Sequence, residues 1–295
     1  MIIVITGATG YIGNAVAKRL SKENEVWCAV RHTSDMHRIE HIRCRTFDVD
    51  PRECLYKRLV EIKPQLVIHL AGVFLSEHRS DNISEMLDSN IDFPTILFDA
   101  AYEAGCRQFI NTGSCWQNYG GSKYNPVNLY AATKQATEDI LEFYVNVKSV
   151  KAITLCIFDS YGPDDSRNKV LNIVNQLSDG DSIDMSGGEQ KMYLCYIEDI
   201  ASAYAQAINV LSNMKDGEYA KYAVRGEKTY SLKEIIDKYL ILSKKKIVIR
   251  WGKRQYRKRE IMDPSGWGTI MPGWHAEYSL EKGLRLYISN GGKNR

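Results

Sequence analysis

Cysteine pairing, ligand-spaced histidines and long apolar runs are all missing from this 295-residue sequence. Its seven cysteines, Cys28, Cys44, Cys54, Cys106, Cys115, Cys156 and Cys195, are odd in number and scattered, with no C-x-x-C spacing. That pattern argues against a disulfide framework and against structural zinc, so no metal is expected. No stretch is apolar for long enough to span a bilayer. The opening MIIVITGATG lacks a charged leader and breaks at Thr6 and Gly7, so a signal peptide is not expected either. The charge excess is small, +3 overall, too mild to argue for nucleic acid from the global balance. The expectation is a reduced, cytoplasmic protein with no membrane segment.

What is present is ordinary globular composition, 44% hydrophobic and 25% charged, with enough length for one large domain or two modest ones. Apolar runs at Ile2–Thr6, Glu25–Val30, Leu66–Leu70, Gln108–Thr112 and Ala152–Phe158 read as strands. Helix-like segments at Asn14–Leu20, Ile91–Ala104 and Tyr130–Tyr144 lie between them. This alternation predicts an α/β fold with a doubly wound parallel sheet, a Rossmann domain over residues 1–163. After Tyr161-Gly162-Pro163 the pattern loosens into turns, which predicts a smaller C-terminal α/β lobe over 164–295, with about 193–226 rejoining the first domain. One run stands out: RWGKRQYRKR at 250–259 holds six cations in ten residues.

In T-G-A-T-G-Y-I-G, Gly7, Gly10 and Gly13 follow a strand and lead into a helix, the setting a dinucleotide fingerprint needs. The turn must bend sharply and bring backbone N–H groups against a pyrophosphate at the helix N-terminus, without an obstructing Cβ. Thr9 lies within that turn. The second predicted strand ends in Cys28-Ala29-Val30-Arg31. A carboxylate there binds a ribose 2′-hydroxyl and a cation accommodates a 2′-phosphate, so Arg31 favours NADP(H). Asp35, a few residues on, leaves NAD(H) open.

Tyr130 and Lys134 stand four apart on a predicted helix and so share a face. A tyrosine with a pKa of about 10 is a poor acid–base catalyst near neutrality, and a neighbouring ammonium is expected to lower it. Ser114, just beyond the fourth predicted strand, could hydrogen-bond the same substrate oxygen. Together with TGATGYIG at 6–13, Phe47-Asp48-Val49, HLAG at 69–72, Asn90 in SNIDFPT, YAATK at 130–134 and YGP at 161–163, these residues resemble the extended short-chain dehydrogenase/reductase family, also called the nucleotide-sugar epimerase/dehydratase family. The resemblance implies that Gly7, Gly10, Tyr11, Ile12 and Gly13 border the cofactor pyrophosphate, Asp48 and Val49 its adenine, and Leu70, Ala71 and Gly72 its ribose and nicotinamide. It also implies Tyr130 as proton donor or acceptor, Lys134 as the residue that holds the nicotinamide ribose, and Ser114 as the group that orients the substrate.

Family dehydratases carry an Asp-Glu pair after this Ser/Thr, where this sequence has Cys115-Trp116, so elimination is disfavoured. Epimerases of the family usually retain NAD, which Arg31 opposes. The residues fit NADPH-dependent reduction of a 4-keto sugar better, with 4-epimerisation as the alternative. NTGSCWQNYGG at 111–121, YNPVNLYAATKQA at 124–136, MSGGEQ at 185–190 and the WGKRQYRKREIMDP-to-MPGW stretch within 251–274 are similar to the CDP-abequose and CDP-paratose synthase type of 4-ketoreductase. The nucleotide base stays open among CDP, dTDP and GDP. Cys156 and Met192 replace arginines common in the family, so Arg257, Arg167 and Lys169 are assigned to the substrate pyrophosphate. Asp159 takes the place of a substrate-contacting Asn, and Gln190 is a partner for the nucleotide ribose or phosphate. The resemblance also implies a homodimer formed through the Tyr-Lys helix and its predecessor. An NADP-sensing or RNA-binding role without turnover remains the alternative that the basic run allows.

Overall fold

The computed structural model describes residues 1–121 and 123–291; the last four residues of the expected C-terminal lobe lie outside that range. In chain order the strands are β1 (Ile2–Thr6), β2 (Glu25–Val30), β3 (Arg45–Asp48), β4 (Leu66–His69), β5 (Gln108–Ser114), β6 (Lys151–Ile157), β7 (Asp159–Tyr161), β8 (Ser182–Asp184), β9 (Lys191–Met192), β10 (Leu194–Tyr196), β11 (Tyr219–Val224), β12 (Tyr230–Ser231) and β13 (Val248–Arg250). The helices are α1 (Tyr11–Leu20), α2 (Cys54–Ile62), α3 (Ile83–Leu87), α4 (Phe93–Glu103), α5 (Leu129–Lys148), α6 (Val170–Gln176), α7 (Ile197–Asn213), α8 (Leu232–Ser243) and α9 (Leu280–Gly291).

Seven strands form one parallel sheet in the order β11-β6-β5-β4-β1-β2-β3. Its central strands β1, β4, β5 and β6 are buried on both faces, which is why they read as continuous apolar runs, whereas the edge strands β3 and β11 are largely exposed or half-buried. The two-residue period then sorts β1: Ile3 and Ile5 face a core built with α1 and α7, and Val4 faces one built with α2, α4 and α5. The result is the expected doubly wound Rossmann architecture. The order in which successive strands are added reverses between β1 and β4, so a crevice opens at their C-terminal ends, where such folds bind ligands.

A separate apolar cluster lies beyond the sheet, where Leu171 and Val174 of α6 meet Ile235, Ile236 and Tyr239 of α8 and Leu284 and Tyr287 of α9. The chain passes back into the sheet through α7 and β11, whose residues Tyr219–Val224 pair with β6. Cross-connections join lobe and sheet: β7 pairs β10 in parallel, and the buried Asp199 carboxylate of α7 accepts the Glu277 and Tyr278 amides at 2.9 and 3.1 Å. The crevice between the sheet ends and this lobe is the site.

Candidate active site

The turn after β1 is shaped by backbone contacts. Gly7 has φ +73°, and a Cβ there would lie 2.7 Å from the Ala71 nitrogen. At Gly13 an added Cβ would lie 2.1 Å from the Gly7 carbonyl oxygen. Only glycine lets α1 approach β1 and the Leu70–Gly72 segment this closely. Gly10 caps α1 without a side chain, and the helix has no acidic residue in its first turn. Its leading amides are thus free for an anion, and the charge expected there is negative. Thr6 completes the junction: its hydroxyl accepts the Leu70 and Ala71 amides, both at 3.2 Å. These residues fit a dinucleotide pyrophosphate.

At the end of β2, Arg31 is exposed, and its amide is held by the Ser34 hydroxyl at 3.0 Å. The Asp35 carboxylate caps the next turn, its Oδ1 accepting the His37 amide at 3.2 Å. Beside them, exposed Asp48 accepts the Asp50 amide at 2.8 Å, and Val49 is buried with its amide on the Val30 carbonyl.

Ser114 is the last residue of β5, two residues further into the strand than the apolar run suggested. Tyr130 and Lys134 lie on α5, which starts where the Asn128 side chain accepts the Ala131 amide at 3.0 Å. All three line one cavity of about 910 Å³ together with Gly72. Aromatic rings frame the tyrosine: Phe74 meets it edge-on at 4.9 Å and Trp116 lies 5.3 Å from Phe74. Asn90 ties the floor together. It is buried, accepts the Val73 amide at 2.7 Å, and donates to the Val73 carbonyl at 2.9 Å and the Thr133 hydroxyl at 3.0 Å. Its own carbonyl accepts from Thr137, inside a π-helical turn at Asp88–Asp92.

One expectation is corrected here. Burial, reinforced by Cys115 and Cys156, pushes the Tyr130 phenol well above its ordinary value, and Lys134 does not reverse this. Helical spacing alone could not reveal that the half-buried ring is shielded enough for this. Lys134 itself is drawn down to about 8 by burial, with Glu138 opposing. Without a cofactor, burial thus favours the protonated phenol and weakens the hold of Lys134 on its proton.

Asp159, Arg167, Lys169, Gln190 and Arg257 all line the same cavity. Two arrive with partners: Arg167 forms a two-point pair with Asp165 at 2.7 Å and stacks over Tyr11, and Arg257 pairs with Glu260 at 2.8 and 2.9 Å over Trp116. Lys169 makes no ion pair among the described residues. Burial raises the Asp159 carboxyl, against Lys169 and Arg257. Gln190 donates to the Ser186 hydroxyl at 3.1 Å.

The basic run is not one patch. Arg250 pairs with Asp184, Arg259 donates to Asn125 over Tyr119, and Arg254 and Arg257 turn into the cavity. Arg254, which has no ion pair among the described residues, is a cavity cation that motif reading missed. Its only sequence signal was the charge density of the run.

Residues 3–223 match the NAD dependent epimerase/dehydratase family, and the chain belongs to that family. It is accordingly an NAD(P)-dependent oxidoreductase. CDP-abequose synthase of Yersinia pseudotuberculosis is 28% identical over 267 residues, covering 90% of this chain and 92% of that one. The Salmonella muenchen CDP-abequose synthase is 25% identical over 291 residues, 97% of each chain. In fold, the chain is similar to UDP-glucose-4-epimerase from Stenotrophomonas maltophila, solved with bound NAD (TM-score 0.83, 18% identity, 99% and 98% coverage). It is also similar to UDP-glucuronic acid 4-epimerase from Bacillus cereus, solved with UDP-glucuronic acid and NAD (TM-score 0.82, 19% identity, 100% coverage of both). No helix among the described residues is long and apolar enough to cross a membrane, and no group of metal-ligating side chains is found among them.

Proposed function

We propose that the protein reduces the 4-keto group of a nucleotide-activated deoxyhexose or dideoxyhexose, with NADPH as reductant. The observation that carries this reading is the end of β2. Arg31 is exposed there, and the nearest following carboxylate, Asp35, is committed to a helix cap. A 2′-phosphate gains a cation in that setting, and the strand itself ends in an arginine and not in the carboxylate that would bind a ribose diol. The similarity to CDP-abequose synthases along nearly the whole chain supports CDP as the nucleotide.

When bound, the reduced nicotinamide supplies a hydride to the carbonyl carbon. Ser114 orients the carbonyl oxygen, and the Tyr130 hydroxyl gives its proton to that oxygen as negative charge develops, leaving a phenolate that is reprotonated from solvent. Burial keeps the phenol protonated, the form that reduction consumes, but also opposes loss of the proton, so the phenolate needs a nearby cation. Lys134, cationic below about 8, offsets the transient phenolate. Lys169, Arg254, Arg257 and Arg167 face the cavity where the sugar pyrophosphate would lie. Gln190 offers an amide to the nucleotide, and Asp159 a carboxylate to a sugar hydroxyl.

Seven free cysteines suit a reducing compartment, and we place the enzyme in the cytoplasm. We also propose a homodimer through α5, whose outer face leaves Phe143 49% and Val147 62% exposed. A monomer in sedimentation would remove that assignment. The activity is tested by mixing the protein with NADPH and freshly generated CDP- or dTDP-4-keto-6-deoxy sugars and following absorbance of the reduced nicotinamide. Steady loss of absorbance is expected. No loss with any such sugar, together with copurified NAD, would assign the protein to 4-epimerisation instead.

A further inference from the structure

Behind Ser114 runs a chain of buried hydrogen bonds that the reaction outlined above does not use. Gln117, with no solvent exposure, accepts the Ser114 amide at 2.8 Å. Its amide nitrogen donates to the Glu138 carboxylate at 2.8 Å. Glu138 is 3% exposed and also takes the Tyr219 hydroxyl and the Lys221 ammonium, both at 2.8 Å. The chain thus spans from the catalytic end of β5, through α5, to the edge strand β11. Gly113 makes room for it, since a Cβ there would sit 2.9 Å from the Gln117 side-chain oxygen.

Glu138 lies one helical turn beyond Lys134 and two beyond Tyr130, on the buried face of α5. One carboxylate therefore serves two catalytic groups: through Gln117 it fixes the backbone that carries the Ser114 hydroxyl, and through space it faces the Lys134 ammonium. We propose that Glu138, acting with Gln117, is a positioning residue that holds Ser114 at the strand end and sets a negative charge one turn from the Lys134 ammonium on the same buried face. Burial works against the lysine charge and Glu138 supports it. The other titratable side chain coupled to Lys134 from a packed element is His69 of β4, which burial and Lys134 together keep neutral. It adds no negative charge that could replace Glu138.

The catalytic half of this assignment rests on the reductase reading, but the electrostatic half can be tested without any substrate. The rate at which acetic anhydride labels Lys134, followed by peptide mass spectrometry across pH 6–11, reports the titration of that amine in the cofactor-free protein. Wild type should show a midpoint near 8. Glu138→Gln keeps the shape and removes the charge, and should move the midpoint down by about one pH unit. Glu138→Asp should restore part of the shift. Where Glu138→Gln does not fold, Lys221→Met, at the partly exposed end of the chain, alters the same carboxylate and should also displace the midpoint. An unmoved Lys134 midpoint in the folded variants overturns the proposal, whatever the enzyme turns over. If turnover is established, the basic limb of the Glu138→Gln rate profile should move in step with the labelling midpoint.

Discussion

Replacing Asn90 by Ala removes three hydrogen bonds at once, and the structure sets the scale of the loss. The Val73 amide and carbonyl lose partners at 2.7 and 2.9 Å, and the Thr133 hydroxyl loses a donor at 3.0 Å. Val73 is only half-buried, so water can recover part of its bonding, whereas the Thr133 contact is enclosed. Each net loss is about 1 kcal/mol, rising towards 2 or 3 where no water enters, so the total is roughly 3–4 kcal/mol. That is a large share of the stability of a typical protein, about 5–15 kcal/mol. The damage should concentrate at Gly72, which adjoins both the Asn90 side chain and the Lys134 ammonium. Urea unfolding followed by circular dichroism should show the midpoint falling with little change in slope, and stabilisation by added NADPH should shrink. A loss below about 1 kcal/mol with full cofactor stabilisation would show that Asn90 does not organise the site.

Tyr130→Phe should leave unfolding almost unchanged, because the half-buried side chain lines the cavity and keeps its ring, while kcat falls about 100- to 10,000-fold, the range of a lost general acid; steady-state kinetics and denaturation on one sample decide it. Gly13→Ala places a methyl against the Gly7 carbonyl, and kcat/KM should drop on the order of 100-fold, with weakened nucleotide binding in fluorescence titration. Lys134 is cationic below about 8 and neutral above, so the kcat/KM profile of the free enzyme should decline as pH rises through that value. A profile flat to pH 9.5 would contradict the role given to its charge. Arg31→Glu should reverse the preference between the two nicotinamide cofactors, read as the ratio of their kcat/KM values; an unchanged ratio would remove Arg31 from 2′-phosphate recognition.

The centre of the sheet was legible because its strands are buried on both faces, whereas the edge strands β3 and β11, exposed or half-buried over most of their length, gave no apolar run. β1 and β2 have the bounds that their apolar runs indicate, and β5 differs only by running on through Gly113 and Ser114, two small residues without an apolar signature. The Tyr130 and Lys134 pairing was legible as spacing, but its electrostatics were not. Spacing places a lysine one turn from a phenol, and only the tertiary structure sets the burial that raises the phenol. The arginines show the same division. Arg167 and Arg257 do reach the cavity, but each brings a carboxylate from two or three residues away that the motifs did not include. Gln117 carried a usable signal, since Ser-x-x-Gln is a capping-box spacing and Ser114 and Gln117 do cap each other's turn. Glu138 gave none, because its partners Tyr219 and Lys221 are more than eighty residues away.

Transfer of deuterium from cofactor to sugar tests the central claim most directly. With a CDP-4-keto-6-deoxy sugar and NADPH deuterated at the transferring position of the nicotinamide ring, each turnover should place one deuterium on C4 and consume one equivalent of cofactor, as read by mass spectrometry and absorbance together. Conversion with no deuterium at C4 and no net consumption of NADPH would contradict reduction.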